Sequence, residues 1–208
     1  MPRSPSRSRT QPPRRSRRRV GALAEAIAAV QGELAAIYRL ELPMRAERFL
    51  VSAAEAQRHL AASGASTGPR TGVVAVEDRE ALWLGLYFAP EDRSDPAAIL
   101  EETSHWMALV WHAAQDRRVR PLELEFQAEV DRYAVARSRG RAALSHFGAA
   151  RWRPDLAPEE LDRYRTAHHA AARYCEQLER RFPRRADLPG WLAELRRFYR
   201  AGPERLRA

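Results

Sequence analysis

The 208-residue chain contains no lysine and no asparagine, and it has only three isoleucines. All three residue types are encoded by AT-rich codons, so their scarcity indicates a GC-rich genome, as is common in bacteria. The same codon bias raises the arginine and alanine content. The 36 basic residues, all of them arginine, are therefore weak evidence for a nucleic-acid-binding domain.

The chain also lacks the motifs of several enzyme classes. It has no glycine-rich phosphate-binding loop, no nucleophile elbow and no paired-cysteine zinc motif. Its one cysteine, Cys175, excludes a disulfide bond within the chain and is typical of proteins in a reducing compartment. No segment approaches the roughly 20 consecutive apolar residues of a transmembrane helix. We therefore expect a cytoplasmic protein without membrane insertion.

Positive charge is concentrated at the start of the chain. Residues 1–19 carry eight arginines and no acidic residue, whereas the remainder has 28 basic and 27 acidic residues. This tail has almost no apolar side chains to bury, so we predict that it is disordered. Such a tail suits nonspecific binding of polyanions, including RNA, DNA and acidic lipid headgroups. An alternative is that translation begins at Val20, for which GTG would be the codon.

Residues 20–208 are predicted to form one domain, because they suffice for one hydrophobic core and show no repeat or linker. Residues 20–24 are apolar like part of a signal peptide, but Glu25 interrupts them. Apolar residues instead recur at helical spacing through residue 37. Further helices are predicted from residue 96 to 117, around residues 122–131, and over residues 158–181 and 188–199.

Three short apolar segments predict strands, at residues 48–52, 73–76 and 81–88. The charged residues 77–80 separate the last two, which therefore predict a hairpin. Residues 63–71 predict a polar, mobile loop. Together these elements indicate a mostly helical α+β fold, with a small antiparallel sheet packed on a helix pair and a C-terminal helical extension.

Acidic residues and a histidine lie within the apolar helix predicted from residue 96. Glu101, Glu102 and His105 are costly to bury unless they are paired or bind a metal ion. Glu101 and His105 are four residues apart, so they share one face of the helix. Glu125 and Glu129 have the same spacing on the next helix. The pattern predicts a cluster of acids and a histidine between two helices.

Residues 101–105, with the sequence EETSH, resemble the His-Glu-x-x-His helix of zincin metallopeptidases, except that Glu101 replaces the first histidine. The resemblance implies that Glu101 and His105 bind the metal and that Glu102 is the base that activates water. The order of helix, sheet, motif helix and second helix also resembles a minimal zincin core. A metal-dependent hydrolase is the activity that follows from it.

In zincins a glutamate on the following helix can supply the third ligand, which would be Glu125 or Glu129 here. One histidine and two carboxylates form a harder, more anionic ligand set than is usual for catalytic zinc. Manganese, iron or magnesium therefore suits the site as well as zinc. The same helices, including residues 122–131, also resemble a bacterial protein family with no activity attached to it, which implies a shared fold only.

Several alternatives remain open from the sequence. Glu125 and Glu129 can pair with Arg132, Arg137 or other arginines, which would make the cluster a structural network in an interaction protein. In that case the basic tail could tether the body to nucleic acid. His168 and Cys175 share a helix face, but two ligands are too few for a metal site. Residues 151–153, with the sequence RWR, are a further candidate, for anion binding.

Overall fold

The computed structural model describes residues 14–62, 70–77, 82–149, 152, 154 and 156–201, with the backbone alone described at residues 14–20, 77, 82 and 149. The described chain is mostly helical with one small antiparallel sheet, which confirms the predicted fold class. Its main elements are α1 (Arg14–Tyr38), α2 (Ala53–Ala62), β1 (Gly72–Glu77), β2 (Leu82–Tyr87), α3 (Pro96–Ala113), α4 (Pro121–Ser138), α5 (Pro158–Arg181) and α6 (Leu188–Ala201).

The first helix starts earlier than expected. α1 begins at Arg14, within the segment 1–19 that the composition predicts to be disordered. Residues 1–13 of that tail, and residues 63–69 of the predicted mobile loop, lie outside the described residues. Within the part of the chain that the structure describes, no helix is both long enough and apolar enough to span a membrane.

The start of α3 follows directly from its sequence. The side chain of Asp95 accepts a hydrogen bond of 2.9 Å from the backbone N–H of Ala97, and Pro96 occupies the first turn. α3 ends at Ala113, before the predicted end at residue 117. The chain turns there because Asp116 adopts a left-handed conformation with φ of 53°.

α4 begins in a similar way and is an antiparallel neighbour of α3. Pro121 lies in its first turn, and the Glu123 side chain accepts a hydrogen bond of 2.8 Å from the backbone N–H of Arg120. The connection of only seven residues, 114–120, returns the chain alongside α3. α5 also packs against α4. Polar residues of α4 therefore contact both neighbours, as Glu125 does with His105 of α3 and Arg163 of α5.

The predicted hairpin is confirmed. β1 and β2 are antiparallel, with Val74 opposite Gly85. On one face of β2, Leu84, Leu86 and the following Phe88 are buried in the main core. On the other face, Tyr87 packs with Ala56 of α2 in a separate small cluster. The alternation of side chains thus places the sheet between α2 and the main core.

The strand predicted over residues 48–52 is wrong. A 3₁₀ helix, Ala46–Phe49, covers the first two residues of that segment, and Leu50 makes only a single parallel bridge with Leu86. The turn is held by Gln31 of α1. Its Oε1 accepts a hydrogen bond of 2.8 Å from the Ala46 N–H, and its Nε2 donates one of 2.9 Å to the Met44 carbonyl. These bonds favour a tight turn over an extended strand.

A large apolar core joins α1, α3, α4, α5 and α6. Trp106 of α3 and Trp191 of α6 are fully buried in it. The Trp191 indole N–H donates a hydrogen bond of 3.1 Å to the Tyr133 hydroxyl, so the polar atom of this large side chain has a partner. The predicted C-terminal helices thus complete the core through their contacts with α1 and α4.

Asp131 of α4 forms a buried polar junction within this core. Its carboxylate accepts hydrogen bonds from the hydroxyls of Tyr38 at 2.5 Å and Ser104 at 2.6 Å, and from the Gln127 amide at 2.7 Å. Burial raises the pKa of Asp131 to about 6, although these hydrogen bonds act in the opposite direction. α1, α3 and α4 therefore meet at one carboxylate.

Candidate metal centre

A pocket of about 530 Å³ opens between α3, α4 and α5. The small residues Ala97, Ala128 and Ala167, one from each helix, leave room for it. Most of its other lining side chains are polar or aromatic: Thr71, Asp92, Asp95, Glu101, Glu102, Glu125, Glu129, Arg132, His146, Trp152, Tyr164 and His168. A partly open pocket lined by this many titratable side chains is the natural place to look for chemistry.

Three of the predicted metal ligands meet beside this pocket: Glu101 and Glu125 line it, and His105 contacts Glu125. Glu101 and His105 project from the same face of α3, and Glu125 projects from α4 towards them. One donor atom from each lies within 4.8 Å of the other two. In the part of the chain that the structure describes, no other three histidine, cysteine or acidic residues meet this criterion. We refer to Glu101, His105 and Glu125 as the triad.

His105 is held between two carboxylates. Its Nδ1 lies 3.4 Å from Oε2 of Glu102, and its Nε2 lies 3.5 Å from Oε2 of Glu125. Burial opposes a charge on the ring, but the contacts with Glu102 and Glu125 raise the pKa of His105 well above its ordinary value. Without a metal ion, the two neighbouring acids therefore favour the imidazolium form of His105.

The same geometry also suits a metal ligand. Histidines that bind metals usually donate their second ring N–H to a carboxylate or a carbonyl, which fixes the tautomer. Glu102 is placed to accept from Nδ1, and this leaves the Nε2 lone pair directed towards Glu125. Nε2 is buried and has no hydrogen-bond partner. A cation between Nε2 and the triad carboxylates would supply one.

The carboxyl group of Glu101 is strongly affected by its burial. Burial raises its pKa to about 7, while the positive charges of His105 and Arg132 act in the opposite direction. Oε2 of Glu101 lies 3.1 Å from a terminal nitrogen of Arg132. Because the desolvated carboxylate is poorly compensated, a bound cation would stabilise its ionised form.

Glu129 does not join the triad. It lies one helical turn beyond Glu125, where Arg132 contacts its Oε1 at 3.3 Å. His168 also faces Oε1, at 3.4 Å, and His146 faces Oε2, at 3.3 Å. Burial disfavours its ionisation, but His146, Arg132 and His168 together hold the pKa of Glu129 below its usual range. Of the two third ligands left open by the sequence, the structure brings only Glu125 to His105.

Arginines pair with the acids of the pocket, as expected if the cluster is a structural network. Arg132 bridges Glu101 and Glu129, and Arg163 of α5 lies 3.6 Å from Glu125. Arg137 points elsewhere and pairs with Glu179 of α5. Every acid of the triad thus has a cationic neighbour in the metal-free protein.

Glu102 lies at the inner end of the pocket, next to the sheet. A Cβ atom built on Gly72 of β1 would lie 3.9 Å from Oε2 of Glu102. The close approach of β1 and the contact with His105 both involve Oε2. The predicted base therefore lies close to Gly72 of the sheet as well as to His105 of its own helix.

The sequence does not predict that His146 and His168 both lie beside Glu129. His168 was considered only with Cys175, but Cys175 is fully buried in the apolar core and does not line the pocket. Burial raises the pKa of the Cys175 thiol well above its ordinary value, so it is a poor metal ligand. His146 lies on the 3₁₀ helix Ser145–Ala149. No local spacing links it to Glu129, so the sequence carried no signal for this contact.

The outer wall of the pocket is aromatic. The rings of Trp152 and His168 are perpendicular, with centroids 5.3 Å apart, and Tyr164 and Leu156 lie nearby in the lining. Trp152 belongs to the predicted anion-binding segment 151–153, of which Arg151 and Arg153 lie outside the described residues. This wall can exclude water from the acidic floor of the pocket.

Comparisons of the chain with protein-family models, with curated proteins and with solved structures find no match.

Proposed function

We propose that this protein binds one divalent metal ion at Glu101, His105 and Glu125 and acts as a metal-dependent hydrolase. The observation that carries the proposal is the convergence of three donor atoms within 4.8 Å, two of them from carboxylates that line the pocket. The orientation of His105 by Glu102 adds to it, because a carboxylate on the second ring nitrogen is a common feature of metal-binding histidines.

One nitrogen and two carboxylate oxygens form the proposed ligand set. Such a set accepts zinc, and its hard oxygen donors suit manganese or iron equally well. A metal ion held there supplies a Lewis acid and a bound water of lowered pKa. With three protein ligands, a further coordination position would face the pocket, where a substrate can enter.

In this proposal Glu102 has two tasks. Its Oε2 orients His105, and its Oε1 is the candidate base that removes a proton from the nucleophilic water. The contact of Oε2 with His105 Nδ1 holds the side chain of Glu102 on the side of the triad. The aromatic wall around Trp152 would then limit the access of bulk water.

A second candidate function is a purely structural one, favoured by the pairing of every triad acid with a cation. Arg132 and Arg163 pair with the two triad carboxylates, Glu101 and Glu125, and His105 lies between Glu102 and Glu125, without any metal. Under this reading the cluster holds α3, α4 and α5 together in an interaction protein. The arginine-rich tail would then supply binding to nucleic acid or another polyanion.

Metal content distinguishes these two functions. The full-length protein is expressed with supplements of zinc, manganese and iron, and metal is measured by mass spectrometry. We expect the wild type to hold about one equivalent more than His105→Ala, because this variant loses the ion at the triad. His169→Ala is the matched control, because His169 is exposed and does not line the pocket. If the wild type contains no metal, the proposed metal site is wrong and the structural function is the one supported.

The hydrolase part needs its own test. Glu102→Gln should keep the metal at the triad but lose hydrolysis of a broad peptide and ester library, by about 100-fold or more. Circular dichroism checks that the variant folds. Full activity in Glu102→Gln would rule out Glu102 as the base while leaving metal binding intact.

A further inference from the structure

We propose a second divalent-cation site in the same pocket, formed by Glu129, His146 and His168. It goes beyond the proposed function, because none of these residues belongs to the triad. The two imidazoles come from different elements, the 3₁₀ helix Ser145–Ala149 and α5, and both face a glutamate of α4. We refer to these three residues as the histidine pair site.

In each ring, one nitrogen faces Glu129 and the other points away from it. We call these the inner and the outer nitrogen. The outer nitrogen of each ring is a hydrogen-bond donor. His146 Nδ1 lies 2.9 Å from the carbonyl oxygen of Ala143, and His168 Nε2 lies 3.1 Å from the carbonyl oxygen of Phe147. A carbonyl oxygen can only accept a hydrogen bond, so both ring nitrogens must carry a hydrogen. This is a common arrangement of histidines that bind a metal through the other nitrogen.

The inner nitrogens then face a carboxylate. His168 Nδ1 lies 3.4 Å from Oε1 of Glu129, and His146 Nε2 lies 3.3 Å from Oε2. In a neutral imidazole with the outer nitrogen protonated, the inner nitrogen presents a lone pair, which repels a carboxylate oxygen. These contacts are therefore favourable only when a proton or a metal cation lies between nitrogen and oxygen.

The contact to His146 is not that of a completed hydrogen bond. Its Nε2 and the Glu129 Oε2 opposite are both buried, and neither has a hydrogen-bond partner among the described residues. Buried polar atoms without partners are uncommon in folded proteins. Ligands around a tetrahedral metal ion lie about 3.4 Å apart, given bond lengths of roughly 2.1 Å. The observed nitrogen-to-oxygen separations match that spacing.

The histidine pair site is more open than the triad, because its three donor atoms do not all lie within 4.8 Å of one another. The two rings face different oxygens of Glu129, so an ion would draw His146 towards His168. The short 3₁₀ helix that carries His146 can move more easily than the α-helices on either side. Two imidazoles and one carboxylate form a set that favours zinc or cobalt.

Arg132 separates this site from the triad. Its guanidinium contacts Glu101 on one side and Glu129 on the other. A permanent cation between the two ligand sets disfavours a pair of ions sharing ligands. We therefore infer two separate single-ion sites, which differ in the number of nitrogen donors.

Cobalt titration of the full-length, metal-free protein tests the inference. Co²⁺ is the probe because its visible absorption reports coordination, and calorimetry gives the stoichiometry. We expect two ions in the wild type and in His169→Ala. One ion should remain in His105→Ala, and one in His168→Ala or His146→Ala. His146→Ala serves as the second variant, since its partly exposed side chain lies outside the long helices and its removal should leave the fold intact.

The stoichiometries separate the two proposals. A single ion that is lost in His105→Ala but kept in His146→Ala overturns the histidine pair site and leaves the triad standing. A single ion that is lost in His146→Ala but kept in His105→Ala supports the histidine pair site and overturns the proposed function. No bound ion in the wild type overturns both.

Discussion

Tyr38 of α1 and Asp131 of α4 lie 93 residues apart in sequence, and the Tyr38 hydroxyl donates a hydrogen bond of 2.5 Å to Oδ1 of Asp131. The Ser104 hydroxyl of α3 donates to the other oxygen of this carboxylate. Because α3 and α4 carry the triad, the junction at Asp131 fixes the relative position of the two helices that form the metal centre.

Replacing Asp131 should therefore destabilise the whole domain. Asp131→Ala leaves the Ser104 hydroxyl and the Gln127 amide without their buried acceptor, at a cost of about 1–3 kcal/mol for each unsatisfied group. We expect the free energy of unfolding in urea to fall by roughly 3 kcal/mol in total. Glu176→Ala serves as the control, because Glu176 belongs to an exposed ion pair with Arg180. This substitution should change the free energy of unfolding by less than about 0.5 kcal/mol. A loss below about 1 kcal/mol in Asp131→Ala would contradict a central role for the junction.

The raised pKa of Asp131 also predicts a pH dependence. A carboxyl with a pKa of about 6 in the folded state and about 3.9 in the unfolded state binds more protons when folded. Its contribution to stability is therefore complete below about pH 3.9 and is lost as the pH rises through about 6. The loss amounts to at most about 3 kcal/mol.

Asp131→Asn isolates this effect, because the amide cannot titrate. The free energy of unfolding of the wild type minus that of Asp131→Asn should decrease from pH 4 to pH 7. Contributions from other groups largely cancel in this difference. Parallel pH profiles for the two proteins would show that the pKa of Asp131 is not raised.

Arg132 distinguishes a metal centre from a structural network. Its guanidinium forms an ion pair with Oε2 of Glu101, so Arg132 competes with a metal ion for that carboxylate. Arg132→Met should tighten binding of the ion at the triad, by about tenfold, and lower the free energy of unfolding of the metal-free protein by roughly 1–2 kcal/mol. Calorimetry and urea unfolding measure the two effects.

The surface pair between Arg139 and Glu33 offers the matched control, because it lies outside the pocket. Arg139→Met should leave ion affinity unchanged and alter stability by less than about 1 kcal/mol. If Arg132→Met lowers stability without any gain in affinity, the guanidinium does not compete for a metal ligand.

The arginine-rich start of the chain predicts nonspecific polyanion binding. Deleting residues 1–19 removes eight arginines and should abolish binding of a labelled single-stranded oligonucleotide, while the rest of the chain is nearly neutral. Fluorescence anisotropy at about 50 and 200 mM salt should show a loss of affinity of at least tenfold for the full chain. Tight binding by the truncated protein would place the nucleic-acid surface on the folded domain.

Local patterns in the sequence predicted the parts of the site that depend on a single helix. The spacing of Glu101 and His105 placed them on one face of α3, and Asp95 and Pro96 marked where that helix begins. The alternation of apolar residues likewise predicted the hairpin and the buried face of β2. In each case the signal lies within one helix or within two adjacent strands.

Contacts between distant segments could not be predicted in this way. Whether Glu125 or Glu129 reaches His105 depends on the rotation and offset of α4 against α3, which core packing determines. His146 meets Glu129 only because the chain after α4 folds back over the pocket. The strand expected over residues 48–52 was wrong for a related reason, since the hydrogen bonds of Gln31 at the preceding turn are invisible in local propensity.

Different sides of α4 make different essential contacts, and this restricts where insertions and deletions can occur in the sequence. Glu125 and Glu129 face the pocket, Asp131 faces α1 and α3, and Tyr133 faces α6. One residue inserted after Glu129 would rotate everything downstream by about 100°. Asp131 and Tyr133 would then both lose their partners, and Arg132 would leave the acids it bridges. Insertions and deletions should therefore be confined to the connecting segments on either side of this helix.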